Sequence, residues 1–233
     1  MTRFLQWIAA AAIAVTGAGA ASADDHPVVV ELYTSQGCSS CPPADALLHK
    51  LADRDDVIAL ALHVDYWDYI GWKDSFADPA FTARQKSWAR AHNKRTVYTP
   101  QMIVHGAEDV VGTHPMDLAK TIDAHGDQPG RVSLDVSRSG ETVTVRAEPD
   151  RGLPRSVLQL VRYRPQATVE ILRGENAGKT LSYANIVTEW TALAEWDGRV
   201  PLEIEAQVTG DQPVVFILQE KGYGPVLSAA RLR

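Results

Sequence analysis

The stretch Val28–Leu48, VVVELYTSQGCSSCPPADALL, holds both cysteines of the chain, Cys38 and Cys41, and decides how the rest is read. It opens in a β-branched apolar run, Pro27–Tyr33, short enough for a buried strand. A turn, TSQGCSSCPP, follows. Then ADALLHKLAD sets Leu47, Leu48 and Leu51 at helical spacing, which predicts a helix to about Asp53. The next run, DVIALALHVD (Asp56–Asp65), is a second apolar strand. Strand, helix and strand in so short a span predict a βαβ unit with parallel strands and a right-handed crossover.

The cysteines fall where the strand ends and the helix begins. Unpaired N–H groups and the positive end of the helix dipole favour an anion there, and cysteines in such places have pKa values lowered to roughly 3.5–7.5. The C-x-x-C spacing lets the second thiol attack a mixed disulfide formed by the first. Cys38, nearer the solvent end, is expected to be the nucleophile and Cys41 the resolving thiol. Pro42 and Pro43 suit a first helical turn, whose N–H groups lack intrahelical partners anyway. As a staple the pair is weak. A four-residue ring gives about 2 kcal/mol, against about 3 for a 15-residue loop, and a chain of this size builds a core without it. A closed zinc site usually needs four ligands, and there is no second cysteine pair.

Upstream, Arg3, the apolar run FLQWIAAAAIAV and Ala21-Ser22-Ala23 form a secretory signal pattern, residues 1–23, with cleavage expected after Ala23. The run is shorter than the roughly 18–20 residues of a membrane span, so membrane association is expected only through this segment before cleavage. The protein is expected to be periplasmic or secreted, where disulfides persist. Removing 23 residues leaves 210 of the 233, and 45% of the chain is hydrophobic, ordinary for a folded protein. Acidic residues outnumber basic ones, 29 to 23, with no long basic run, which argues against nucleic acid as a partner.

Downstream comes an aromatic-rich loop, YWDYIGWKDSF (Tyr66–Phe76), then a helix predicted over Asp78–Asn93 with Asp78 as N-cap and Pro79 at its first position. TPQMIVHG predicts a third strand after Pro100, and EDVVGTH a fourth, returning through a turn at Gly106. Thr113 is expected to cap a last helix, HPMDLAKTIDAHG, ending before Gly126. The texture changes at GDQPGR (Gly126–Arg131). RVSLDVS and ETVTVRA flank a hairpin signal at Arg138-Ser139-Gly140. SVLQLVRY, TVEIL, PLEIEAQV, PVVFILQEK and VLSAARL alternate likewise. The expected fold is an α/β domain over residues 24–128 and a mostly antiparallel, β-sandwich-like domain over 129–233.

The C-x-x-C turn, together with Thr99-Pro100, resembles the thioredoxin superfamily, in which a cis-proline before a strand faces the two cysteines. The segments ELYTSQGCSSCPPAD, HVDYWDYIGWKD, YTPQMIV and RGENAGKTLSYANIV resemble, over nearly the whole mature chain, a family of exported thioredoxin-like proteins catalogued as a domain of unknown function. The resemblance implies a thioredoxin-like first domain and a β-rich second one. It does not supply a substrate; the cysteine pair itself leads to the expectation of thiol–disulfide exchange with protein thiols or disulfides and a redox partner, with no cofactor. Thr99 and Pro100 would present the substrate. Glu31 could serve as the buried acid that thioredoxins carry before the motif, if the turn holds one inserted residue; it could equally be a strand carboxylate facing solvent or an arginine. Ser39-Ser40 between the cysteines leaves the redox direction open.

Because parallel strands end on one edge, His63, Asp65, Tyr66, Trp67 and Asp68 are expected around Cys38. Tyr66, Trp67, Tyr69 and Trp72 would wall a substrate groove or pack the joint between domains. Two other readings use the same residues: a soft metal such as Cu(I) held by Cys38 and Cys41 with His63, His105 or Met102, and a non-catalytic binding module whose cysteines stay oxidised. GENAGKT (Gly174–Thr180) has three residues between its glycines where a phosphate loop needs four, and is expected to be a turn. No G-x-S-x-G elbow, dinucleotide fingerprint or paired-carboxylate pattern is present.

Overall fold

The computed structural model describes residues 26–232; the expected leader, residues 1–23, lies outside them. In chain order the elements are β1 (Val28–Thr34), α1 (Pro42–Ala52), β2 (Val57–His63), a 3-10 turn (Asp68–Ile70), α2 (Pro79–Ala91), β3 (Gln101–Val104), β4 (Glu108–Val111), α3 (Pro115–Gly126), β5 (Leu134–Ser139), β6 (Thr142–Ala147), β7 (Ser156–Glu170), β8 (Thr180–Trp196), β9 (Leu202–Gln207), β10 (Val214–Glu220) and β11 (Val226–Leu232). The architecture is mixed α/β. A large, mostly antiparallel sheet runs β11-β10-β7-β8-β2-β1-β3-β4, and β5-β6-β9 form a small second sheet. β1 pairs parallel with β2 from Val28↔Val57 to Thr34↔His63 and antiparallel with β3.

Alternation along β1 and β2 fixes what covers each face of the large sheet. Val29 and Tyr33 join Ile58, Leu60 and Leu62 under Phe81 and Trp88 of α2, in a core continuous with Val161, Val187, Val215 and Ile217. Val28, Val30 and Leu32 point the other way, against Ala44, Leu48 and Leu51 of α1 and Leu118 and Ile122 of α3. At the far end of the sheet the second face is closed by the small sheet, where Val143 and Val145 meet Leu158, Leu160, Phe216 and Leu218. The composition change near residue 128 therefore separates segments that share one sheet and the core on its α2 face.

Local signals account for most element ends. Asp78 is the N-cap of α2, its carboxylate accepting from Ala80 N–H. The β3–β4 turn uses two left-handed residues, His105 (φ 51°) and Gly106 (φ 70°), as a tight hairpin requires. α3 differs from expectation: its N-cap is His114, not Thr113, no side chain caps it, and Gly126 is its last residue. SVLQLVRY and TVEIL, read as two strands, are one fifteen-residue strand despite Pro165. β10 pairs only with Ser156–Arg162 of β7, so no strand lies where the missing Pro165 N–H would point, and the ladder tolerates it.

The joint between β2 and β8 is a single parallel pair, Ala61↔Ile186. The neighbouring Asn185 adopts φ 47° and its buried side-chain amide donates to the Ala59 carbonyl at 2.9 Å, standing in for a ladder bond. Asn185→Ala is expected to destabilise by about 1–3 kcal/mol, because that carbonyl stays buried without its donor. A chemical-denaturation midpoint measures this; an unchanged midpoint would show that the side chain contributes nothing to the joint.

Candidate functional site

β1 ends at Thr34, and its chain turns through Ser35–Ser40 into α1. Cys38 and Cys41 form a disulfide there. Cys41 is the N-cap of α1 with φ −78° and ψ −34°, already helical, and its carbonyl accepts from Asp45 N–H at 3.1 Å. Ser39 and Ser40 are exposed, whereas Cys38 and Cys41 are 1% and 0% exposed. The sulfur expected at the solvent end is thus covered in the disulfide form. An oxidised sulfur carries no hydrogen, so the Ser40 hydroxyl donates to Cys38 Sγ at 3.3 Å, a bond that would favour the thiolate after reduction.

What covers the motif comes from elsewhere in the chain. Asn176, on the loop between β7 and β8, is fully buried and its amide donates to the carbonyls of Gln36 and Cys38, both at 2.9 Å. Gln36 is pinned further: its N–H donates to Asp74 Oδ2 at 2.8 Å, and its side chain pairs with Trp72 Nε1–H and Ser75. Gly37 leaves room for Trp67 and Ile70, whose atoms lie 3.2 Å from where a Cβ would stand.

Behind the turn lies a buried polar cluster. Asp74 Oδ2 also meets His63 Nδ1 at 2.8 Å. A carboxylate can only accept, so Nδ1 carries the proton. Asp74 Oδ1 accepts from Phe76 N–H. The His63 ring stands edge-on to Phe76 and Tyr183. Asp45 lies one helical turn after Cys41, which puts both side chains on one face with Cβ atoms about 5–6 Å apart. Its Oδ1 accepts from the Thr34 hydroxyl at 2.7 Å. Asp45 Oδ2, His63 Nε2 and Tyr183 Oη are buried with no hydrogen-bond partner among the described residues. Burial pushes the Asp45 carboxyl up to about 7, against the opposing pull of His63 and the Thr34 hydroxyl.

The expected site residues divide. Pro100 follows Thr99 through a cis peptide bond and sits across Gly112 from the first turn of α1: a Cβ on Gly112 would be 2.9 Å from both Ala44 Cβ and Pro100 Cβ. Trp67 reaches the same place, its Nε1–H donating to Thr99 Oγ1 at 2.7 Å, with Tyr69 stacked on it. Tyr66 is half-buried, and burial pushes its phenol up to about 12. Asp65 is turned toward α2, accepting from the Thr82 hydroxyl. Glu31 belongs to the face opposite α1. Alternation sets it with Val29 and Tyr33, where Arg84 clamps it through Nε and Nη2 at 2.8 and 2.7 Å and the Tyr33 hydroxyl donates to it. It is the arginine-paired strand carboxylate, not an acid beside Cys41.

The soft-metal set is likewise dispersed. His105 lies at the end of β3 away from Pro100, beside His125, and Met102 is packed in the apolar core under α1. Among the described residues no three His, Cys, Asp or Glu side chains gather as metal ligands do. Sequence reading missed Asp45, Asp74 and Asn176. The i+4 spacing of Asp45 from Cys41 was a usable signal, but Asp74 and Asn176 lie in loops whose placement depends on distant pairings.

A protein of Agrobacterium tumefaciens, solved by X-ray crystallography, is similar at 31% identity, with a TM-score of 0.76 over 88% of this chain and 93% of that one. HBP35 of Porphyromonas gingivalis shares the fold at 16% identity, with a TM-score of 0.63 over 89% of this chain and 75% of that one. No curated protein matches the chain. The family model described as "Protein of unknown function (DUF1223)" matches residues 29–219. With that match across most of its length, the chain belongs to the DUF1223 family.

Proposed function

We propose that the protein is an exported thiol–disulfide oxidoreductase, its residues 24–128 a thioredoxin-like unit, acting on protein thiols or disulfides through Cys38 and Cys41. One observation carries this reading: a disulfide between residues three apart at the mouth of a helix, with the Thr99–Pro100 bond set against the same helical turn. In the oxidising direction a substrate thiolate attacks Cys38 Sγ. The Sγ–Sγ bond breaks and Cys41 leaves with the electron pair. A second substrate thiolate then attacks the mixed disulfide and releases Cys38, so two electrons pass from the substrate dithiol to the cysteine pair. The reverse sequence reduces a substrate disulfide. Cys41 is the deeper sulfur, where an uncompensated anion is costly. Asp45, a turn away and protonated into the neutral range, is placed to supply the proton that Cys41 takes up and to receive it on the return.

The surface supports a protein-sized partner. Among the described residues the exposed large apolar side chains are Tyr69, Val111, Met116, Leu172 and Val200. The first four lie on segments that meet the disulfide turn or the first turn of α1 behind it: Tyr69 against Trp67, Val111 and Met116 flanking Gly112, which lies against Ala44, and Leu172 on the Asn176 loop. Wild-type protein is expected to catalyse insulin reduction by dithiothreitol, with turnover abolished in Cys38→Ser. Cys41→Ser is expected to stall as a mixed disulfide on Cys38, seen by mass. Turnover that survives Cys38→Ser would end this reading.

A further inference from the structure

Residues 171–179 close on themselves. Ile171 N–H donates to the Lys179 carbonyl at 2.9 Å, Gly178 N–H to the Ile171 carbonyl at 2.7 Å, and Lys179 N–H to the Asn176 carbonyl at 3.1 Å. The segment therefore holds its shape without the disulfide turn. Between Leu172 and Thr180 every residue is exposed except Asn176, which spends both amide hydrogens on the carbonyls of Gln36 and Cys38. Lys179 Nζ donates to Asn176 Oδ1 at 2.9 Å, so the oxygen faces the lysine and the nitrogen faces the turn. Gly174, at φ 79°, lies against Trp72 and the Ile70 carbonyl. No other element of the second half of the chain donates to the backbone of Cys38 among the described residues.

We propose that residues 171–179 are a strap that sorts the reaction partners of Cys38 by size, with Asn176 as its latch. This deepens the exchange reading and rests on it. Cys38 is enclosed while its neighbours Ser39 and Ser40 are open, and the strap is fastened to the carbonyl of Cys38 itself, so in this proposal an attacker reaches the sulfur by loosening that attachment. Lifting the strap breaks the two Asn176 bonds and leaves the Cys38 carbonyl with only the Cys41 N–H at 3.2 Å, a loss that is unfavourable unless something offsets it. A protein partner has the means. Leu172 on the strap is 66% exposed and Tyr69 on the adjoining loop 80%, and a partner that packs against them more fully when the strap is raised favours the lifted form by that difference in affinity. A small thiol offers no such surface. The strap thus slows reaction with the small-thiol pool and leaves docking proteins favoured.

Stopped-flow reduction of the Cys38–Cys41 disulfide, with glutathione as small reductant and reduced ribonuclease as protein reductant, tests this. Asn176→Ala and Asn176→Asp are expected to speed the glutathione reaction about tenfold or more, the factor for losing two ordinary hydrogen bonds. Leu172→Ala is expected to slow the ribonuclease reaction and leave the glutathione rate alone. Should the Asn176 variants fail to fold, Lys179→Met loosens the latch without removing it and is expected to speed glutathione about threefold. Glutathione rates within twofold of wild type in every folded variant overturn the strap, whatever the turnover assay shows. Accelerated glutathione reduction without insulin turnover keeps the strap and removes the oxidoreductase reading.

Discussion

Arg84→Ala is expected to lower the unfolding free energy by about 3–5 kcal/mol, the range for breaking a buried ion pair from one side. The Arg84 and Glu31 side chains are 11% and 3% exposed. Arg84 does more than neutralise one carboxylate. It reaches Gln159 on β7 and Gln219 on β10, and its guanidinium lies 3.7 Å from the centroid of the Trp190 ring on β8. One side chain on α2 therefore ties β1 to three strands contributed after residue 150. Its loss leaves Glu31 charged in the core with the Tyr33 hydroxyl as its remaining hydrogen-bond donor. For a chain of this size the melting temperature should fall on the order of 10 °C. The double variant Arg84→Met with Glu31→Leu should recover most of the loss, because no orphan charge remains. If the single and double variants are equally unstable, packing around Arg84 matters and the charge pairing does not.

Asp45→Asn is expected to act in the opposite direction, and only at higher pH. The folded-state pKa of Asp45 is about 7, above its ordinary value of 3.8. Between those two values the folded protein binds more protons than the unfolded chain, so the contribution of Asp45 falls as pH rises from about 4 to about 7. Three units correspond to about 4 kcal/mol. Asparagine can still accept from the Thr34 hydroxyl but carries no proton to lose. The variant should match wild type near pH 4 and exceed it by up to about 4 kcal/mol at pH 8, by urea unfolding at each pH. Under the proposed exchange chemistry the gain has a kinetic cost: proton transfer at Cys41 slows, and the pH profile of disulfide re-formation loses its inflection near 7. Parallel stability curves for variant and wild type across pH would show that Asp45 is not strained, and an unaltered rate profile would remove it from the chemistry.

Much of the local structure was legible because its causes are local. Asp78-Pro79 announces the start of α2, His105-Gly106 the tight turn between β3 and β4, and the apolar runs around Ile58 and Val30 two buried strands. Long-range pairing was not legible. Nothing near Ile186 indicates that it will lie beside Ala61, more than a hundred residues earlier, and the alternation in β7 and β8 reads equally well as a separate sandwich. Glu31 shows why a motif alone misleads. Its place in the strand before the motif suggests a relay, but period-two alternation turns it to the α2 face, and which face α1 covers is a tertiary fact. Asn176 was hidden for a related reason. In sequence it is a polar residue among glycines, and its importance arises only where two chain segments 138 residues apart meet.

The shared sheet has a practical corollary for anyone seeking a smaller working unit. Cutting the chain near residue 128 would strip β8 from β2 and uncover Ile58, Leu60 and Leu62 together with an unpaired strand border. Exposed strand borders of that kind recruit one another and precipitate. A minimal fragment carrying the cysteines would need a replacement neighbour for β2, so the disulfide turn and β8 have to be inherited, expressed and engineered together.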